Sequence, residues 1–439
     1  MQWDKLLNKQ RIGKVKSDYI DHDRSEFQRD FDRIIFSSAF RRLQDKTQVF
    51  PLSKSDYVRT RLTHSLETSS VGRSLGYMVG SKLLEKHKLD LVAAEPGTVV
   101  ATACLMHDIG NPPFGHSGED AIRDWFDNSE IGQNLCTWTE KRKRNDFAFF
   151  EGNAQGLRNV LALQRPYSEG GMQLTCATLA AFTKYPYVSE YVGKKKKFGI
   201  FSSEAGTYAE IAEHLGLIRK AENKWVRHPF AYLVEAADDI CYHVVDMEDG
   251  HRLGLVSFDE LYETFMAILD HDPKVAKRVG AIRGDKEQVE YLRATTINFL
   301  VTNSCAVFMD SEQLILDGIY QSSLTEDIAK SQEFSMLKKI AVEKVYNSTE
   351  VIDTEAAAYE VLWKILDFFG QIVSELHKDG KLGAKCKKSV KLLPELYKPT
   401  EDGGVYENTQ KIVDYVSGMT DAYAVRTFNK ISGISLLRR

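Results

Sequence analysis

No apolar run in this 439-residue chain approaches the length a helix needs to cross a membrane, so no membrane partner is expected. The opening Met1-Gln2-Trp3-Asp4-Lys5 lacks the apolar core of a signal segment, so a cytoplasmic protein is expected. Cysteine is sparse and scattered: Cys104, Cys136, Cys176, Cys241, Cys305 and Cys386 include no CxxC pair. Zinc fingers and a disulfide framework are therefore not indicated, and free thiols in a reducing compartment are expected. An excess of one charge is missing too. Lysine and arginine number 58 against 62 acidic residues, a net charge of -4 that gives no footprint for bulk nucleic-acid binding. There is no internal repeat, no long low-complexity linker and no strand-rich region.

What is present is a composition of 43% hydrophobic and 27% charged residues, ordinary for a globular protein. The length exceeds that of one compact core, so one large helical unit with a closely packed second part is expected. The apolar run Val99 to Met106 delivers His107 and Asp108 to its end. Gly110 and Pro112-Pro113 then stop the helix, because proline lacks the N–H and clashes with the preceding turn. An isolated His-Asp pair at such a place is most simply a cap. Other parts of the chain decide otherwise.

Helical periodicity runs from Leu66 to Leu84, with Leu66, Val71, Leu75, Met78 and Leu83 able to share a face. His64 lies near its start and Arg61 one turn earlier. A second helix is expected over Ser117 to Phe126, placing His116 and Glu119 three apart and so able to face one pocket. In the helix Tyr232 to Gly250, Asp238, Tyr242 and Asp246 recur every four residues among Ala, Ile, Cys and Val. Carboxylates on an apolar helix are costly to bury unless they bind something. Beyond Gly254, helices are expected over Leu261 to Leu269, Val289 to Met309, Met336 to Tyr346, Ala356 to Leu376 and Asn408 to Tyr423. The fold class is all-α with minor strands.

His64, His107, Asp108 and Asp238 together form a mixed N/O set suited to Mn²⁺, Fe²⁺, Co²⁺, Mg²⁺ or Zn²⁺. Arg61 and Lys184 add cations suited to a phosphorylated substrate. The basic runs Lys141–Arg144 and Lys194–Lys197 are most simply solvated loops, with phosphate or nucleic-acid contact as the alternative for the second. Glu151, Asn153 and Gln155 open a helix, either as site support or as an N-terminal cap.

The order H…HD…D resembles the HD-domain metal-dependent phosphohydrolases. RRLQDKTQVFP (41–51), RTRLTHSLE (59–67), HDIGNPPFGHSGE (107–119) and EAADDICYHVVDMEDG (235–250) resemble, more narrowly, the bacterial deoxyguanosine triphosphate triphosphohydrolases. Beyond residue 255 the likeness rests chiefly on Gly418-Met419-Thr420-Asp421. The resemblance implies an HD-domain helical core with an additional helical C-terminal region. It implies hydrolysis of a dNTP, dGTP foremost, to deoxynucleoside and triphosphate by water attack on the α-phosphorus. It makes His64, His107, Asp108 and Asp238 ligands of a divalent metal ion, and Asp238 rather than Asp239 because Tyr242 and Asp246 then fall at sugar-contacting positions. His116 with Glu119 matches the catalytic pair, Arg61 the α-phosphate contact and Lys184 a phosphate ligand. Gln48 and Asp246 match contacts to the 3′-OH, and Tyr242 would leave no room at C2′ for a hydroxyl.

The expected organisation is an N-terminal helical segment (1–55) contributing Gln48, a catalytic core (56–255), and a C-terminal region (256–439) supplying base pocket and oligomer contacts. Expected partners are the dNTP substrate, a dNTP activator, single-stranded DNA and further copies of the chain as a tetramer or hexamer. The alternatives are a phosphodiesterase or 5′-nucleotidase on another nucleotide, and a regulatory protein that binds single-stranded nucleic acid.

Overall fold

Glycine at every fourth position decides how the first long helix packs. The computed structural model describes residues 1–13, 24–49 and 59–434, apart from the side chains of residues 350 and 354. Pro51, the Ser53–Asp56 loop and the expected boundary at 55/56 lie outside the described residues. Helix α1 (Arg61–His87) opens on a capping box, in which Thr60 and Thr63 each satisfy the other's backbone N–H. Its Gly72, Gly76 and Gly80 form a groove for helix α2 (Ala94–Met106). A Cβ added at Gly76 would lie 2.8 Å from Pro96 O and 2.9 Å from Gly97 Cα, so only glycine allows this approach.

Helix α2 is apolar all round, and every residue except Ala94 and Thr98 is buried. It is the central rod of the fold. Around it stand α1, a short helix Glu26–Ile35, α5 (Cys176–Phe182) and α6 (Pro229–Arg252). Between α2 and α5 the chain forms α3 (Gly115–Asn128) and α4 (Gly152–Arg158). The only sheet among the described residues is the antiparallel ribbon β1 (Arg219–Ala221) and β2 (Lys224–Trp225). The chain is all-α with minor strands.

Two hydrophobic cores result. In the first, Leu75, Val100, Leu105 and Ile240 pack with Phe265, Leu292, Phe308 and Leu337, the last four from the stretch that includes α7 (Asp285–Asp310). In the second, Ile122, Trp125 and Phe126 of α3 pack with Leu362, Ile365 and Phe369 of α8 (Thr349–Asp379) and Val413 and Val416 of α9 (Val405–Ser417). The C-terminal half is thus divided between both cores.

Several local expectations need correction. Leu66 is 46% exposed, because the buried face of α1 is the one carrying Leu75, Val79, Leu83 and the glycines. The single final helix expected over Asn408 to Tyr423 is two, α9 and α10 (Asp421–Ile431). Gly418 ends the first, and the Thr420 hydroxyl caps the second by accepting from Tyr423 N. The stretch Met336 to Tyr346 is α-helical only to Ile340 and then opens into wider π-type turns, Ala341–Tyr346. All six cysteines are free, five of them buried.

Gly76→Ala is expected to lower stability by about 1–3 kcal/mol through forced separation of α1 and α2. Gly206→Ala, where a Cβ meets nothing within 4 Å, is expected to be neutral or stabilising by up to about 1 kcal/mol. Urea unfolding of the two variants checks this, and equal shifts would contradict the groove.

Candidate metal centre and active site

Two helix ends and the middle of a third helix converge on one cavity. The N-terminal turn of α1 carries His64, the end of α2 delivers His107 and Asp108, and the middle of α6 supplies Asp238. His64 Nε2 lies 3.1 Å from Asp238 Oδ1, and His107 Nε2 lies 3.4 Å from both Asp238 Oδ1 and Asp108 Oδ2. Ligand atoms of His64, His107 and Asp108 all fall within 4.8 Å of one another, close enough to hold one metal ion.

The surroundings set the state of each donor. His107 Nδ1 sits 2.7 Å from Cys104 O, and a carbonyl oxygen only accepts, so Nδ1 bears the proton and Nε2 is left as a ligand nitrogen. Burial opposes protonation of His107, yet Asp108 and Asp238 push its pKa up to about 9. Burial also works against the charge on both carboxylates. Arg61 and His107 nevertheless hold Asp108 well below the usual range, and His107 and His64 do the same for Asp238. The centre therefore favours positive charge between its carboxylates, a demand that a divalent cation meets. Asp108 is oriented on both oxygens, accepting from Arg61 Nη1 at 2.8 Å and Asn111 Nδ2 at 2.6 Å.

A tight turn sets the next group. Phe114, which precedes α3, and Gly115, its first residue, both adopt left-handed backbone, φ 64° and 61°. A Cβ on Gly115 would lie 2.4 Å from Arg61 Nη2, so this position requires glycine twice over. His116 follows, with its side chain 71% exposed, and its Nδ1 lies 3.1 Å from Glu119 Oε2. That hydrogen bond, with the carboxylate charge, raises the His116 pKa. Burial works against the charge of Glu119, but His116, Lys197 and Arg123 hold its carboxyl down to about 2. Glu119 Oε1 accepts from Gly152 N at 2.8 Å and so ties α3 to the start of α4.

These groups line a cavity of about 450 Å³ together with Gln48, Lys184, Tyr185 and Tyr242. Gln48 Oε1 is buried with no partner among the described residues, and so is Arg61 Nε. Lys184 lies 3.2 Å from Glu235 Oε1. The Tyr242 ring stands 6.2 Å from the His64 ring and 5.2 Å from the Tyr346 ring. Asp246 is placed differently. It is buried and is not a lining residue; instead it accepts from the Tyr346 hydroxyl at 2.7 Å, and Tyr346 forms the wall.

Sequence reasoning missed part of this wall. Lys197, the last of the four lysines, turns inward, 2.9 Å from Glu151 Oε2 and 3.6 Å from Glu119 Oε2, while Lys194, Lys195 and Lys196 are exposed. The buried Phe198 and Ile200 just after it were the available signal, since they draw the end of the run inward. Tyr346, Val351 and Glu355, far along the chain, also line the cavity.

An HD-domain family model matches residues 61–151, the segment from Arg61 through Glu151, and a phosphohydrolase-associated domain model matches 325–430. A deoxyguanosinetriphosphate triphosphohydrolase-like protein of Synechocystis is 41% identical, covering 99% of this chain and all of the relative. One from Pseudomonas aeruginosa is 37% identical over 99% of each. A deoxyguanosinetriphosphate triphosphohydrolase of Salmonella arizonae is 32% identical over 93% of this chain and 94% of its own. The chain belongs to the deoxyguanosinetriphosphate triphosphohydrolase-like family of HD-domain hydrolases. Like any member of this family it is a hydrolase, and its HD segment holds His64, His107 and Asp108. Asp238 and the Tyr346–Glu355 wall lie outside that segment.

The choice between Asp238 and its neighbour has a structural test. Asp239 points elsewhere, accepting from Thr325 Oγ1 at 2.7 Å and pairing with Lys338 at 3.3 Å. Asp238→Ala is expected to abolish retention of Mn²⁺ through gel filtration, and Asp239→Ala to keep it. The reverse pattern in metal analysis would place the ligand on the wrong residue.

Proposed function

We propose that this chain is a metal-dependent dNTP triphosphohydrolase, acting on dGTP foremost and releasing deoxynucleoside and inorganic triphosphate. The reading rests on one juxtaposition: a two-imidazole, two-carboxylate cluster and the His116–Glu119 pair share a cavity with Arg61, Lys184 and Lys197. The names carried by its full-length relatives support it.

His64, His107, Asp108 and Asp238 would hold the divalent ion, with Mn²⁺, Mg²⁺, Fe²⁺ and Co²⁺ the candidates. When bound there, such an ion supplies charge that screens the α-phosphate and lowers the pKa of water. Arg61, fixed by Asp108, presents its remaining N–H groups to the α-phosphate, while Lys184 and Lys197 meet the rest of the triphosphate. The leaving group is the sugar 5′-oxygen, a poor one that needs a proton. His116 holds Glu119 through Nδ1, which leaves Nε2 to give that proton. Gln48, with its free acceptor, takes the 3′-OH, and the Tyr242 ring occupies the space a 2′-hydroxyl would need. Asp246 acts on the sugar side through Tyr346.

The nucleic-acid reading has less to stand on. Lys197 is drawn into the cavity, Lys143 lies over the Tyr406 ring, and Arg144 donates to Thr139 O and Thr137 O.

Incubation with each of the four dNTPs and Mn²⁺ or Mg²⁺, singly and in pairs, is expected to yield triphosphate and deoxynucleoside. Activity in pairs only would reveal a nucleotide activator. Monophosphate with pyrophosphate would contradict the reading. Because Glu119 raises the His116 pKa, turnover is expected to fall as pH rises through that raised value. Glu119→Gln is expected to move this alkaline limb to lower pH.

A further inference from the structure

The Gly418–Asp421 stretch sits far from the HD segment in sequence but not in space. Asp421, the first residue of α10, is 1% exposed, and both its oxygens are taken up by hydrogen bonds. Its Oδ2 accepts from Thr47 N at 2.9 Å and from Thr47 Oγ1 at 2.5 Å. Its Oδ1 accepts from Phe114 N at 3.0 Å. Lys46 repeats the same bracket with opposite chemistry: its buried Nζ donates to Asn111 O and, at 2.9 Å, to Ser417 O. Lys46 is thus bonded both to the 111–114 turn and to the 417–421 turn, and Asp421 links Thr47 to Phe114. Two active-site side chains hang directly from these bonds. Gln48 follows Thr47, and His116 follows the left-handed Phe114–Gly115 pair.

We infer that Asp421 is a positioning residue that fixes Gln48 and His116 relative to each other, so that the C-terminal region sets the distance between sugar contact and proton donor. The reason is geometric. The left-handed Phe114 is an uncommon conformation for a residue with a side chain, and it persists only where its surroundings over-determine it. Phe114 N, once drawn toward Asp421 Oδ1, fixes the direction in which α3 leaves the turn and hence where His116 points. A carboxylate suits this task because it is acceptor-only and can serve three donors at once, which neither an amide nor a hydroxyl can.

This inference rests on the proposed activity, and its test has two arms. In the kinetic arm, Asp421→Asn keeps shape but loses acceptor capacity, so kcat is expected to fall about 10–100-fold, against about 10²–10⁴-fold for His116→Ala. Because Asp421 acts through His116, the double variant is expected to turn over within about threefold of His116→Ala alone. Losses that multiply, or an unchanged kcat in Asp421→Asn, would overturn the inference. Should Asp421→Asn not fold, Thr47→Val removes one of the three bonds and no charge. It is expected to lower kcat/KM about 3–10-fold in the native background and not at all beside Gln48→Ala; no loss, or the same loss in both, would overturn it. The second arm needs no substrate: amide exchange in the folded variant, whichever of the two it is, is expected to quicken at 114–117 and 47–48 together. Unchanged protection there would overturn the clamp. If the native protein releases no triphosphate, the proposed activity fails while this second arm still decides the clamp.

Discussion

Everything around the cavity follows from burying Asp108, with the half-buried Asp238, beside two imidazoles. Removing carboxylates from water is costly unless opposite charge or hydrogen bonds replace the solvent. Arg61 and Asn111 supply part of that replacement to Asp108, and His64 and His107 face Asp238. The imidazoles can compensate by taking a proton or by presenting lone pairs to a cation. The bond from His107 Nδ1 to Cys104 O prepares the second state. The apolar helix α2 makes the arrangement rigid, because it is packed on all sides and ends at His107.

The second region completes what the HD segment begins. The cavity wall carries both cations, Arg61, Lys184 and Lys197, and rings, Tyr185, Tyr242 and Tyr346. Tyr346 closes the π-type turns Ala341–Tyr346, and its hydroxyl is fixed by Asp246. Wider helical turns of this kind place a residue out of the regular α-helical register, which is how a side chain from this distant stretch reaches the cavity. The cavity lies between the two hydrophobic cores: α3, which carries His116 and Glu119, packs in one with α8, while α1, α2 and α6, which carry or end at the metal-site residues, share the other.

Much of the centre was legible in the sequence because its chemistry is local. His107-Asp108 follows an apolar run and precedes a proline stop, and the pairs His116–Glu119 and Asp238–Tyr242 keep helical spacing. What was not legible depends on tertiary direction. Nothing in four consecutive lysines says that only the last turns inward. The Asp246 spacing matches that of a cavity residue, but a tyrosine a hundred positions later stands in front of it. Leu66 fits the apolar period of α1, yet the face is chosen by glycines that admit α2. The break at Gly418–Thr420 was also overlooked, although a glycine followed by a threonine cap is a readable signal.

The central claim is that these residues direct water to the α-phosphorus and a proton to the sugar 5′-oxygen. Turnover of dGTP in H₂¹⁸O with Mn²⁺, followed by mass spectrometry of both products, tests it most directly. The account requires one ¹⁸O atom in the triphosphate and none in the deoxyguanosine. Label in the deoxyguanosine, or release of deoxyguanosine mono- or diphosphate in place of the free nucleoside, would contradict it.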